Sequence, residues 1–215
     1  MRNSYKYYGF STADLLKALL NISNNIDYIS VLVSNFNEKK SNFPKEYINY
    51  DILAGIGKID TLITNQNSFL ELSKFHDQKK DWLFGYLSYD LKNEIEALSS
   101  NNTDNFNADN LFFFIPKYVL LLNNGVLEVQ TYESKESCDR FIQGFNFSDF
   151  DSFDDEIHLV SSNNKKSYLQ KIDIIKEHIQ RGDIYEMNYC QEFCAVDAKI
   201  VAEAVFFELN EKMKT

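Results

Sequence analysis

Two long apolar runs joined by an Asn-Asn-Gly turn constrain the fold of this chain more than any other feature of its sequence. Residues 111–122 and 126–132 are rich in aromatic, leucine and valine side chains, and Asn123-Asn124-Gly125 connects them. An Asn-Gly step between apolar runs favours a tight turn, because both central positions of that turn need a positive φ. The sequence therefore predicts a β-hairpin, and with it a sheet that contains antiparallel strands.

Helices and further strands are predicted on both sides of this hairpin. Runs rich in β-branched or aromatic residues predict strands at 27–33, 50–56 and 82–89. Helical periodicity and capping residues predict one helix that begins at Ser11 or Thr12, and others at 67–76, 92–98 and 136–145. No βαβ unit repeats along the chain, so the predicted fold class is α+β.

Spacing within these elements also predicts which side chains are buried. The first helix carries a leucine face formed by Leu15, Leu16, Leu19 and Leu20, and the second helix is expected to bury Phe69, Leu70, Leu72 and Phe75. Gly55 and Gly57 alternate in a strand-like run, which indicates a β-bulge or a close backbone approach inside a sheet.

An acidic segment at 148–156 is the best candidate for an internal boundary, which gives domains at 1–150 and 151–215. Beyond it, Tyr168, Ile172, Ile175 and Ile179 line one face of a predicted helix over 166–181, and Gly182 is placed to end that helix. A strand over 184–195 and a last helix over 198–214 complete the prediction.

Charge and composition exclude several classes of function. The formal net charge is -10, so the long-range field repels nucleic acid and anionic membrane surfaces. No apolar run approaches the roughly 18 residues of a membrane span, and the first residues do not resemble a secretory signal. With only three cysteines, a disulfide framework is not expected, and a soluble cytoplasmic protein is predicted.

Residue chemistry alone reveals no convincing catalytic centre. The three histidines (His76, His158, His178) lack the spacing of zinc ligands, and no glycine-rich phosphate loop, G-x-S-x-G or H-E-x-x-H motif occurs. On a strand, Cys190 and Cys194 would lie about 13 Å apart, so both are interpreted as small core residues. The acidic run Asp151, Asp154, Asp155 and Glu156 favours a solvated linker over a metal site.

Two segments nevertheless resemble a known family. SYLQKIDIIKEHIQRGDIYEMNYCQEF (167–193) resembles the start of the chorismate-binding domain of chorismate-utilising enzymes, where a helix ends at a G-[DE]-[IV]-[YF]-[QE]-[VI]-N-[LFY]-[SC]-Q-x-F motif. The matching residues, which the resemblance implies to be structural, are Gly182, Asp183, Tyr185, Asn188 and Gln191. DWLFGYLSYDLKNEIE (81–96) is similar to a segment in the N-terminal domain of component I synthases of the same family.

Two branches of this family compete. Asn188 and the SYDL sequence at 88–91 favour aminodeoxychorismate synthase component I over anthranilate synthase component I. The tryptophan pocket of both branches is partly built by an L-L-[ED]-S motif, which here corresponds to Leu32, Val33, Ser34 and Asn35. Ser34 and Asn35 are therefore candidate ligand-binding residues that lack the acidic group, although they are equally consistent with a simple strand end. A third alternative is a non-catalytic module that binds an aromatic amino acid or docks a glutaminase.

The resemblance implies an α+β fold in which two sheets form a sandwich with outer helices. It implies chorismate as substrate, Mg²⁺ as cofactor and a glutaminase subunit (component II) as the source of ammonia. The family's catalytic and Mg²⁺-binding motifs do not occur up to Thr215, so no catalytic or metal-binding residue is assigned in this chain. We expect the chain to be the N-terminal portion of a longer enzyme, inactive by itself, with an exposed apolar surface beside the strand predicted at 184–195.

Overall fold

A computed structural model describes residues 1–23, 25–35, 49–99, 104, 106–149, 157–161 and 163–213. The chain divides into two compact units, one formed by Met1–Phe150 with Asn210–Thr215 and the other by Asp151–Leu209. The acidic run that was interpreted as a linker lies outside the described residues.

The first unit is built on one antiparallel sheet of six strands. Its order is β1-β6-β5-β3-β2, and β4 pairs with the free edge of β5. The strands are β1 (Asn3–Tyr8), β2 (Ile29–Val33), β3 (Ile52–Thr64), β4 (Phe84–Leu87), β5 (Leu111–Asn123) and β6 (Val126–Thr131). Helices and an antiparallel sheet thus confirm the α+β class.

The hairpin at the centre of this sheet has the predicted geometry. β5 and β6 pair from Tyr118 with Thr131 to Asn123 with Val126. Asn124 and Gly125 have φ values of 49° and 78°, the positive values that a two-residue hairpin turn needs. The prediction from the Asn-Gly step is confirmed.

Helix α1 (Thr12–Ser23) supplies much of the apolar core of the first unit. The Ser11 hydroxyl accepts a hydrogen bond from the Asp14 N–H (3.0 Å) and so caps the first turn. The predicted leucine face is confirmed, because all four of its members are buried: Leu15, Leu16, Leu19 and Leu20.

The structure explains why glycine occupies both positions 55 and 57 of β3. A Cβ at Gly55 would lie 2.7 Å from the Phe84 ring, so only glycine allows this aromatic side chain to lie against the strand. Gly57 has φ 64°, and the pairing of β3 with β5 shifts register between Lys58 and Asp60. The prediction of a bulge is confirmed, whereas the close approach at Gly55 is made by an aromatic side chain rather than by backbone.

The burial predicted for the second helix is wrong for Phe69 and Leu70, whereas Leu72 and Phe75 are half-buried. α2 (Ser68–Lys79) forms at the expected place, but Ser68 is its sole buried residue among those described. Phe69 and Leu70 are exposed at 44% and 56%. Periodicity identified an apolar face, but it cannot show whether another part of the chain covers that face.

Two shorter helices complete the first unit. α3 (Lys92–Ile95) follows a 3₁₀ turn at Tyr89–Leu91, and α4 (Lys135–Gln143) begins at the N-cap Ser134. The Tyr118 and Phe141 rings stack with centroids 4.2 Å apart, which joins α4 to β5.

The second unit contains β7 (Val160–Ser161), α5 (Lys165–Arg181) and β8 (Phe193–Cys194), and α6 (Ala202–Met213) ends the described chain. The strand predicted over 184–195 is reduced to β8, which pairs with β7 alone. A strand needs a hydrogen-bonded neighbour, and within the described chain residues 184–192 have none in a sheet. Cys190 and Cys194 are exposed free thiols rather than core residues, so that interpretation is also wrong.

Candidate functional site

The G-D-I-Y segment (182–193) begins where helix α5 ends. At the start of α5, the Asn164 side chain caps the helix by accepting a hydrogen bond from the Ser167 N–H (2.9 Å). At the other end, Gly182 has φ 82°, and its N–H donates to the Ile179 carbonyl at 3.0 Å. A left-handed residue at this position favours glycine, which explains why the motif needs Gly182.

Three charged or titratable side chains meet at this helix end. His178 Nδ1 lies 2.8 Å from Asp183 Oδ2 and 3.0 Å from Arg181 Nη2. Arg181 Nη2 is also 3.3 Å from Asp183 Oδ2. The Nδ1 atom can donate to the carboxylate or accept from the guanidinium, but not both at once. Asp183 therefore fixes the turn after α5 through its side chain.

The rest of the motif divides into exposed and anchored residues. Tyr185 is 98% exposed, and the Asn188 side chain is also on the surface. Gln191 is anchored: its amide nitrogen donates to the Ser161 hydroxyl and to the Asn163 carbonyl at 2.9 Å. Gln191 thus holds the motif to the segment that joins β7 to α5.

One buried polar atom of the second unit has no hydrogen-bond partner. The Tyr189 hydroxyl is inaccessible to solvent and unpaired among the described residues. Its ring lies 5.2 Å from the Tyr168 ring, and Lys171 Nζ lies 5.8 Å from the Tyr189 ring centre. The two tyrosines hold the motif against the predicted apolar face of α5.

Ser34 and Asn35, the candidate ligand residues of the first unit, directly follow β2. The Ser34 N–H donates to the Asp51 carbonyl (3.1 Å), which continues the pairing of β2 with β3. Asn35 has φ 51°, a left-handed conformation that turns the chain away from the sheet. Its Nδ2 donates to Asn210 Oδ1 (2.6 Å), a residue that clusters with the first unit.

The first unit contains a buried ion pair that was not predicted from the sequence. Arg2 Nε lies 2.8 Å from Asp81 Oδ1, and the two side chains are only 6% and 10% exposed. Asp81 also accepts hydrogen bonds from the Trp82 N–H (2.8 Å) and the Tyr132 hydroxyl (3.0 Å). The two members of the pair are 79 residues apart, so neither spacing nor periodicity could have indicated it.

The electrostatics of this cluster follow from its hydrogen bonds. Burial raises the pKa of Asp81, but the bonds from Arg2, the Trp82 N–H and Tyr132 outweigh it and hold that pKa below its usual range. Burial, followed by the hydrogen bond to Asp81, raises the pKa of Tyr132. Asp81 is therefore a carboxylate and Tyr132 a neutral donor at physiological pH.

Within the part of the chain that the structure describes, no group of three or more His, Cys, Asp or Glu residues could hold a metal ion. In the same residues, no helix is long and apolar enough to cross a bilayer.

Comparison with protein families identifies one match. A family model described as chorismate binding enzyme matches residues 37–213, which are 177 of the 215 residues. The match includes both the 81–96 segment and the G-D-I-Y segment. A search of curated proteins finds no match to this chain.

Proposed function

Because this chain belongs to the chorismate-binding enzyme family, we propose that it is the N-terminal part of aminodeoxychorismate synthase component I. The complete enzyme would convert chorismate and ammonia to 4-amino-4-deoxychorismate, a precursor of 4-aminobenzoate and folate. The family match carries the assignment to a chorismate-utilising enzyme. Asn188 in the G-D-I-Y segment supports the choice of branch.

The residues of the G-D-I-Y segment have positioning roles in this proposal. Gly182 and Asp183 set the direction in which the chain leaves α5, and Gln191 ties the end of the motif to the residues before that helix. The segment between them exposes Tyr185 and Met187. We propose that these apolar side chains contact further strands of the catalytic domain, in the two-sheet sandwich expected for the family.

Cofactor and partner are part of the same proposal. Mg²⁺ would neutralise substrate carboxylates and assist departure of the ring hydroxyl, with ligands from residues outside this chain. A glutaminase subunit would supply ammonia. The net charge of -10 makes such compensation necessary, since an unassisted anion with two carboxylates is repelled.

A product assay tests the proposal. The polypeptide encoded by the natural reading frame is incubated with chorismate, Mg²⁺ and ammonium. Fluorescence is recorded before and after aminodeoxychorismate lyase is added. We expect 4-aminobenzoate only after the lyase, and no turnover by the 215-residue chain assayed in parallel. Turnover by the 215-residue chain would contradict its proposed lack of a catalytic centre.

Anthranilate synthase component I is the alternative enzyme. It would form fluorescent anthranilate without the lyase, and an Ala in place of Lys in the downstream P-I-[KA]-G-T motif would favour it. A non-catalytic module that binds an aromatic amino acid or docks a glutaminase is the other alternative. A natural reading frame that stops near Thr215 would support that module, whereas continuation into the catalytic motifs would exclude it.

A further inference from the structure

An open pocket of the first unit lies beside the buried ion pair. Its volume is about 910 Å³, and volumes of about 300–1,000 Å³ are typical of small-molecule sites. Charged, aromatic and aliphatic side chains line it together, including Arg2, Lys80, Asp81, Trp82, Leu83 and Tyr132. None of the motifs interpreted as chorismate-related assigns a ligand to this pocket.

The pocket floor is already saturated with hydrogen bonds. Besides its bonds to Asp81, Arg2 donates to three backbone carbonyls, those of Pro116, Lys117 and Gln130, at 2.6, 3.3 and 3.4 Å. All five N–H groups of a guanidinium can be accounted for in this way. Tyr132 lies under the guanidinium, whose central carbon is 4.8 Å from the ring centre. The floor is therefore rigid, and Arg2 has no donor left for a ligand.

Trp82 forms a fixed apolar wall. Its indole Nε1 donates to Gln130 Oε1 (3.1 Å), and its ring centre lies 6.2 Å from that of Phe84 in the core. Gln130 is held in turn, because its Nε2 donates to Glu128 Oε1 (2.9 Å). The orientation of the indole is thus set before any ligand arrives, which lowers the entropic cost of binding.

Lys80 contributes a positive charge to the lining of the pocket. It makes no ion pair with any residue that the structure describes, unlike its neighbour Lys79, which lies 2.7 Å from Asp60. Lys80 also caps α2 with φ 48° and ψ 46°, a left-handed position where glycine or asparagine is preferred. Strained residues of this kind concentrate at functional sites. The Lys80 N–H donates to the His76 carbonyl (2.7 Å) and closes the helix, while its ammonium remains available to a ligand.

We propose that this pocket binds a small aromatic carboxylate, whose charge pairs with the Lys80 ammonium and whose ring packs against Trp82. A local cation is required because the net charge of the chain repels anions in general. The aromatic wall and the adjacent Leu83 favour a planar apolar body over a purely ionic ligand. The site shares Asp81, Trp82 and Leu83 with the 81–96 segment, but it has no residue in common with the motif at 182–193 and takes no part in the reaction proposed above.

Trp82 makes the test specific, because it is the only tryptophan of the chain. Benzoate is titrated into the 215-residue protein while tryptophan emission is recorded. Benzamide, which keeps the ring but not the charge, and acetate, which keeps the charge but not the ring, are the matched probes. We expect a saturable change with benzoate at a Kd on the order of 1 mM, and at least about tenfold weaker binding of both controls.

Variants of Lys80 separate binding from folding. Lys80→Gly removes the charge and relieves the left-handed strain, so the protein should unfold at a slightly higher temperature while benzoate binding weakens about tenfold or more. Lys80→Gln should lose binding to the same extent, and Lys166→Gln, which removes a charge far along the chain, should leave binding unchanged. Equal responses to benzoate and benzamide, or full benzoate affinity in Lys80→Gly, would overturn the proposal.

Discussion

The Arg2–Asp81 pair offers the sharpest test of how the first unit is held together. Asp81→Asn keeps the shape of the side chain, removes its charge and turns one acceptor of the Arg2 guanidinium into a donor. Loss of one partner of a buried ion pair costs about 3–5 kcal/mol. Since three backbone carbonyls still accept hydrogen bonds from Arg2, we expect the lower end, about 3 kcal/mol.

Urea denaturation followed by the emission of Trp82 measures this cost, because the only tryptophan reports on the unit that contains the pair. Arg2→Met and the double variant complete a thermodynamic cycle, in which the double variant should be less destabilised than the sum of the single ones. A cost below about 1 kcal/mol for Asp81→Asn would refute the reasoning, because the pair would then behave as an ordinary surface salt bridge.

The same pair predicts a pH dependence. The pKa of Asp81 is lowered from 3.8 in the folded protein. Its stabilisation is thus complete well above pH 3.8 and is lost as the pH falls through the lower folded pKa. The stability difference between wild type and Asp81→Asn should be constant near neutrality and shrink below about pH 4. A difference that persists unchanged in acid would contradict the ionised state of Asp81.

Three further substitutions or measurements test local features. Glu94→Ala should cost about 1–2 kcal/mol, because its carboxylate accepts hydrogen bonds from the N–H and hydroxyl of buried Ser68 at 2.7 and 2.6 Å; Glu96→Ala, on the surface, is the control in the same urea assay. Gly125→Ala should destabilise the hairpin by about 1 kcal/mol through its φ of 78° alone, since no heavy atom lies closer than 3.7 Å to the added Cβ; an unchanged urea midpoint would contradict this. In the native protein a thiol reagent should modify two of three cysteines rapidly, and mass spectrometry should identify them as Cys190 and Cys194, with Cys138 unmodified.

Features that depend on a few neighbouring residues were predictable from the sequence. The positive φ angles of Asn124 and Gly125, the cap at Ser11 and the helix end at Gly182 are each set by the chemistry of their own residues. Spacing was also sufficient for the leucine face of α1, because its whole stripe is covered. These predictions needed no knowledge of the partner segment.

Features that depend on a distant partner were not predictable. The run 184–195 has strand-like composition, yet it forms only β8 because β7 is its sole sheet neighbour among the described residues. Phe69 and Leu70 lie on an apolar helix face that stays exposed. The side chains of Arg2 and Asp81 come together only when the sheet has folded. In all three cases the deciding contact is far away in sequence, and no local pattern encodes it.

The described residues of the second unit bury little apolar surface among themselves. Ala204 is its sole buried apolar residue within the described part of the chain, whereas Tyr185, Met187 and Phe193 are exposed. In the first unit, by contrast, both β3 and β5 carry fully buried side chains such as Ile52, Phe114 and Leu120. Local stability follows buried apolar area, so α5 should open far more readily than β5.

Amide hydrogen exchange measures this difference directly. We expect the amides of α5 to exchange at least about a hundredfold faster than those of β5. Under the proposed function, further strands would cover these exposed side chains, so a polypeptide that contains those strands should exchange more slowly in α5 and at an unchanged rate in β5. Protection of α5 equal to that of β5 in the 215-residue chain would show that the helix is stable without such cover, and the proposed role of Tyr185 and Met187 as contacts for further strands would lose its support.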